Sequence, residues 1–67
     1  MMKLWEARVL AKRVGATIVP RPDVEFRVNL TGGTEDQAYY TTDLVDAVAS
    51  AYAMADEALV REYGRVA

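Results

Sequence analysis

The polar and apolar positions of this chain change period twice, and the changes mark its elements. From residue 3 to 14, Leu4, Ala7, Leu10, Ala11 and Val14 recur at three- and four-residue spacing, which defines one apolar helix face. Gly15 follows at once, with Lys12 and Arg13 in the last turn. That predicts a helix stop: glycine accepts the left-handed conformation, and cations suit the negative end of the helix dipole. The period then falls to two. Ala16–Val19 reads as a short strand rich in β-branched residues, and "PRPD" as a turn, because Pro20 and Pro22 donate no ladder hydrogen bonds. In "DVEFRVNL", residues 23–30, Val24, Phe26, Val28 and Leu30 point one way and Glu25, Arg27 and Asn29 the other, as in a strand with one buried face. "TGGTED" predicts a hairpin loop with Gly32 and Gly33 free to take positive φ, and "QAYYT" the returning strand. Adjacent strand residues face opposite sides, so Tyr39 and Tyr40 make no single aromatic platform; one faces the helices, and which one is left open. Thr42 or Asp43 caps a final helix that runs to about Tyr63 and is ended by Gly64.

These elements predict an α+β fold in the order α-β-β-β-α: a small antiparallel sheet of two to three strands with two helices packed on one face, in one domain over residues 1–67. The expected core is Val24, Phe26, Val28 and Leu30 against Leu44, Val48, Tyr52 and Leu59.

The final helix is more apolar than one sheet-facing stripe requires. Leu44, Val48, Ala51, Tyr52, Ala55 and Leu59 already make a face about 100° wide. Val45, Ala49, Ala53 and Val60 continue it on one flank, interrupted by Asp56, and Ala47, Met54 and Ala58 on the other; Asp46, Ser50, Glu57 and Arg61 form the polar stripe. Small residues four apart (Ala47, Ala51 and Ala55; Ala49 and Ala53) admit a close neighbour, either the first helix or another chain, although alanine is also the best helix former. On the first helix, Trp5 and Val9 fall off the apolar face beside Arg8, Lys12 and Arg13, an amphipathic aromatic among cations of the kind found at interface hot spots; the alternative is that Trp5 folds over the sheet edge. The candidate partner-binding residues are therefore Trp5, Val9, Lys12 and Arg13 on the first helix and Val45, Ala49, Ala53 and Val60 on the last.

Composition narrows the chemistry. The chain is 52% hydrophobic and 27% charged, which suits a folded domain rather than a disordered tail. It has no cysteine and no histidine, which removes disulfides, Cys/His zinc sites, thiolate nucleophiles and imidazole acid–base catalysis. Asp43 and Asp46, with Glu35 and Asp36, match no calcium-loop spacing, so no metal and no cofactor are expected. A domain this small leaves little room for a ligand-sized pocket, so neither enzymatic activity nor a small-molecule substrate is expected. It also buries a smaller share of its surface than larger domains do, which makes tight packing or oligomerisation the expected route to stability. Residues 1–30 carry six positive and three negative charges, and residues 31–67 two positive and seven negative, so the halves should attract one another within the fold or between protomers. No stretch reads as a signal peptide or a membrane span, which predicts a cytoplasmic protein without membrane contact.

The segment "YYTTDLVDAVASAYAMADEAL", residues 39–59, resembles the strand-to-helix segment of three-strand-plus-helix DNA-binding modules such as phage integrase arm-binding domains, and the corresponding segment of HicB-type antitoxins. The chain departs from the DNA-binding pattern at the outward strand positions Glu25, Arg27 and Asn29, which make no basic reading surface. By size, style and "AYYTTDLVDA" the whole chain resembles accessory proteins of phages and prophages of GC-rich bacteria. That resemblance implies no activity; the over-apolar final helix and the missing catalytic chemistry predict a non-enzymatic protein-binding module, a phage- or prophage-encoded modulator or inhibitor of a host protein or a homodimer. The alternative expectation is a nucleic-acid-binding module using Arg8, Lys12, Arg13, Arg21 and Arg27, which the acidic net charge disfavours.

Overall fold

The computed structural model describes residues 1–66, with side chains as far as Gly64. Helix α1 spans Leu4–Arg13, strand β1 Ala16–Pro20, strand β2 Phe26–Leu30, strand β3 Tyr39–Thr41 and helix α2 Leu44–Val66, with a single 3-10 turn at Glu35–Gln37 before β3. The sheet is antiparallel throughout, in the order β1-β2-β3, so β2 is central. Both helices lie on one face of it. Ala16, Ile18 and Val28 from that face join Ala7 and Ala11 of α1 and Ala47 and Ala51 of α2 in one buried cluster. The α+β class and the α-β-β-β-α order follow the periods read in the sequence.

Local chemistry sets the boundaries. The Glu6 carboxylate accepts the Lys3 N–H at 2.9 Å and satisfies a donor that the first turn of α1 leaves open. Gly15, at φ +77°, ends α1 as expected and turns the chain directly into β1. Asp43 caps α2, its Oδ1 accepting the Val45 N–H at 2.9 Å. Pro20 occupies the last position of β1, which an edge strand tolerates.

Four expectations are corrected. Strand β2 starts at Phe26, because the Arg21 N–H bonds to the Glu25 carbonyl at 2.8 Å and closes the turn there. Val24 therefore sits in that turn at φ +20° and 87% exposed, outside the core. Only Gly32 of the glycine pair takes positive φ; Gly33 is needed because a Cβ there would collide with Asn29 Oδ1 and lie 3.0 Å from the Leu30 carbonyl oxygen. Gln37 belongs to the 3-10 turn, which shortens the returning strand to Tyr39–Thr41. Finally, α2 continues through Gly64 to Val66, because Gly64 keeps helical backbone and does not take the positive φ by which Gly15 ends α1.

The core differs most in its helical half. Tyr52 and Leu59, expected inside, are 41% and 54% exposed, whereas Ala47, placed on a flank, is fully buried. The buried line of α2 is rotated by roughly 60° from the apolar stripe counted in the sequence, at 3.6 residues per turn. The reason lies in α1. Ala7 and Ala11 meet Ala47 and Ala51 in a seam of alanines, and small side chains permit the closest approach of two helices. Leu44, Val48, Met54, Phe26 and Leu30 are half-buried around that seam.

Candidate functional site

The eight candidate residues fall into two separate groups. Trp5, Val9, Lys12 and Arg13 are all exposed on α1; Trp5 retains 64% of its surface and does not fold over the sheet edge to bury itself. Val45, Ala49, Ala53 and Val60 are all exposed on α2. Of the two alanine series in α2, Ala47 and Ala51 serve the contact with α1, while Ala49 and Ala53 face away from it.

Two of the α2 group, Val45 and Ala49, belong to a longer stripe that the sequence reading missed. Val45, Ala49, Tyr52, Asp56, Leu59 and Tyr63 follow one another at intervals of four and three residues, the a/d spacing of a coiled-coil seam, and every one is exposed. Tyr63, at 68%, carries the stripe well past the end of the sheet. The molecule measures 41 × 24 × 15 Å, and the long axis matches a helix of this length overhanging its own core. Val60 and Ala53 border the stripe. Beside it, an open hollow of about 620 Å³ lies between Val14, at the end of α1, and Tyr52, Ala55 and Leu59 of α2. The signal was available as the 4-3-4-3-4 spacing; counting apolar residues by arc alone concealed it.

The α1 group borders a different feature. Arg8, Val9 and Lys12 form one wall of a groove of about 360 Å³ whose other side is β1, from Ala16 to Val19. Strand β1 is an edge of the sheet. The ladder parity with β2 is fixed at both ends, by the Thr31 N–H bonded to the Gly15 carbonyl and the Arg21 N–H bonded to the Glu25 carbonyl. Hydrogen-bonded pairs alternate along an antiparallel ladder, so Thr17 and Val19 bond to β2 while the backbone groups of Ala16 and Ile18 point away from it, at two residues that are buried as a whole. The cations of this wall are uncommitted: the ion pairs among the described residues are Arg27–Glu35 and Arg61–Glu57.

The carboxylates are distributed rather than gathered. Glu35 holds Arg27 at 3.2 Å and accepts the Tyr40 hydroxyl at 3.0 Å on the outer sheet face. The Arg21 guanidinium stands 5.4 Å from the centre of the Tyr40 ring. Asp36 accepts the Thr34 hydroxyl at 2.6 Å, and that hydrogen bond holds its carboxyl below the ordinary range. Asp46 accepts the Tyr39 hydroxyl at 2.8 Å; this bond, with the carboxylate charge, pushes the phenol above its ordinary value. Tyr39 is thus the tyrosine on the helix side and Tyr40 the outward one, and both keep substantial exposure. No three potential metal ligands converge among the described residues, and no described helix is long and apolar enough to cross a membrane. Comparison with known proteins gives no match: no family model, no curated protein and no solved structure is similar to this chain.

Proposed function

We propose that this chain is a non-enzymatic protein-binding module whose α2 face seats a second copy of itself. The carrying observation is the exposed stripe of Val45, Ala49, Tyr52, Asp56, Leu59 and Tyr63, five apolar positions of six at coiled-coil spacing. Its composition selects the geometry. In a parallel pair Asp56 would face the partner's Asp56, two like charges in one apolar seam, which is costly. An antiparallel pair centred on Met54 sets Val45 against the partner's Tyr63, Ala49 against its Leu59 and Asp56 against its Tyr52. Small then meets large along the seam, and the carboxylate gains a phenol as hydrogen-bond donor. The contact is isologous, as closed dimers require. The stripe covers fewer heptads than an independent coiled coil sustains, so the hollow beside Val14 and the bordering Ala53 and Val60 enlarge the contact.

Sedimentation equilibrium from about 1 µM to about 1 mM tests this over the range of weak to moderate dimers. The wild type is expected to dimerise, and Leu59→Glu and Ala53→Glu to remain monomeric with unchanged far-ultraviolet circular dichroism. A wild type that stays monomeric throughout would end the reading. Modulation of a host protein is the wider role proposed for such a module.

Nucleic-acid binding is the second reading, motivated by Arg8, Lys12 and Arg13, which have no ion pair among the described residues, beside an exposed Trp5. The outer sheet face weighs against it, because Arg27 and Tyr40 both engage Glu35 there. Retention on DNA or RNA that falls steeply with salt would favour it.

A further inference from the structure

We infer that the outer face of α1 is a docking surface for an acidic amphipathic helix of a partner protein. This is a second surface, independent of self-association through α2. At helical spacing, Trp5 and Val9 stand roughly 160° around α1 from Ala7 and Ala11, opposite the alanine seam. They form an exposed apolar ridge one turn long. Arg8 and Lys12 flank the ridge on one side and Arg13 on the other, all three exposed and without an ion pair among the described residues. Glu6 is the single carboxylate of α1, and it is held by the Lys3 N–H at 2.9 Å. A tryptophan on an open face, set among cations with no free acid on the same helix, is the composition of an interface anchor.

The surroundings select the partner's form. An added strand gains no ladder here, because Ala16 and Ile18, whose backbone groups point away from β2, are buried. A helix needs only side chains. Trp5 with Val9 and Arg8 with Lys12 make two rows at four-residue spacing, and such rows interlock with those of a second helix crossing at about 50°. Beside Val9, the groove of about 360 Å³ opens onto the exposed Thr17 and Val19 of β1 and admits a large apolar side chain of the partner. Apolar residues at i and i+4 of that helix meet the ridge, and Asp or Glu on its flanks meet the cations. Nucleic acid and an anionic membrane fit less well: both spread negative charge far beyond three turns of helix, and the chain carries a net charge of −2. The acidic half of a second copy is also a poorer match, since its Glu57 is already paired with Arg61.

Trp5 is the single tryptophan of the chain, so its fluorescence reads this face directly. A display library of single helices of about five turns, randomised on one face and lacking tryptophan, is panned on the full chain, and the selected synthetic peptide is then titrated into it. Selected sequences are expected to carry apolar residues at i and i+4 flanked by Asp or Glu. The peptide is expected to shift Trp5 emission to the blue and to bind more weakly at high salt. Arg8→Glu/Lys12→Glu, at two exposed positions, should weaken binding at least about tenfold, and a peptide with Lys in place of its acids should bind the double variant better than the wild type. Selected sequences without flanking acids, or binding that leaves Trp5 emission unchanged, would overturn the proposal. So would tighter binding of a dodecathymidylate or of phosphatidylglycerol vesicles at Trp5, which would assign the face to nucleic acid or to a membrane. A concentration-dependent shift of Trp5 emission in Leu59→Glu alone would overturn it too, because a second copy would then cover the face. Every one of these titrations runs equally in Leu59→Glu, so the two proposals fail separately.

Discussion

The two faces of α2 invert the usual relation between size and burial. The inner face holds its fully buried positions with alanines, Ala47 and Ala51, set against Ala7 and Ala11 of α1. The outer face exposes a valine, a leucine and two tyrosines at Val45, Leu59, Tyr52 and Tyr63. Burial of a large apolar side chain is worth about 1.5–3 kcal/mol, far more than burial of an alanine. The chain therefore gives its tightest internal seam to the residues that gain least from burial, and leaves the larger gains unclaimed within its own fold. Alanines bring two helices close enough for backbone-level contact. The large residues then stand on an outward ridge, where a second molecule collects the hydrophobic gain. The largest fully buried side chains are correspondingly only Ile18 and Val28, so the fold rests on close approach more than on bulk.

The inner face should be the unforgiving one. Ile18→Ala removes one of the two largest fully buried side chains and is expected to cost about 2–5 kcal/mol in denaturant unfolding, enough to leave so small a domain partly unfolded. Ala51→Leu forces a larger side chain into the alanine seam and is expected to cost about 1–3 kcal/mol. Its outer counterpart, Tyr52→Ser, measured at concentrations where the chain is monomeric, should stay within about 0.5 kcal/mol of the wild type. A tolerated Ala51→Leu beside a destabilising Tyr52→Ser would reverse the comparison. Phe26→Ala falls between the two, because Phe26 is only half-buried; a loss as large as that of Ile18→Ala would show that the sheet, not the alanine seam, carries the stability.

The smallest expected effect lies where α2 meets β3. The Tyr39 phenol is held above its ordinary value by its hydrogen bond to Asp46. The folded state thus favours the protonated phenol. Its contribution to stability is complete below the unfolded tyrosine value and is lost as pH rises through the raised folded value. Ultraviolet titration should find the Tyr39 midpoint above that of a free tyrosine, and Asp46→Asn should bring it down. A midpoint unchanged by that substitution would mean the bond does not persist in solution.

How much of this was legible beforehand depended on contrast. The order of elements was, because Phe26 to Leu30 alternates and Leu4 to Val14 repeats at helical spacing. The rotation of α2 was not: on an apolar helix rich in alanine, the facing arc is chosen by what α1 presents rather than by hydrophobicity. Val24 continued the alternation on paper, but the turn beginning at Pro20 closes only if residue 24 bends. Gly64 carried a stop signal, but a glycine stops a helix only where it takes positive φ, and Gly64 does not. The exposure of the candidate residues was not legible, because Trp5 could equally fold over the sheet edge and Ala49 and Ala53 could equally face the first helix.

Asn29 carries a different consequence. Among the described residues it is the buried polar one, although it alternates with the inward Val28; its Nδ2 donates to the Thr34 carbonyl at 2.9 Å and its Oδ1 accepts the Leu30 N–H at 2.9 Å. Leu30 lies beyond the reach of β3, which pairs only with Phe26 to Val28. A strand of alternating apolar residues is nearly indifferent to a slip of two positions, since Phe26, Val28 and Leu30 would simply replace one another on the inner face. The amide is not interchangeable in that way. A two-residue slip would carry it away from the loop that only Gly33 allows so close, and would cost its hydrogen bond to the Thr34 carbonyl. One asparagine thus acts as the key that tells three otherwise equivalent alignments of the hairpin apart, a form of information that the hydrophobic pattern of this chain does not contain.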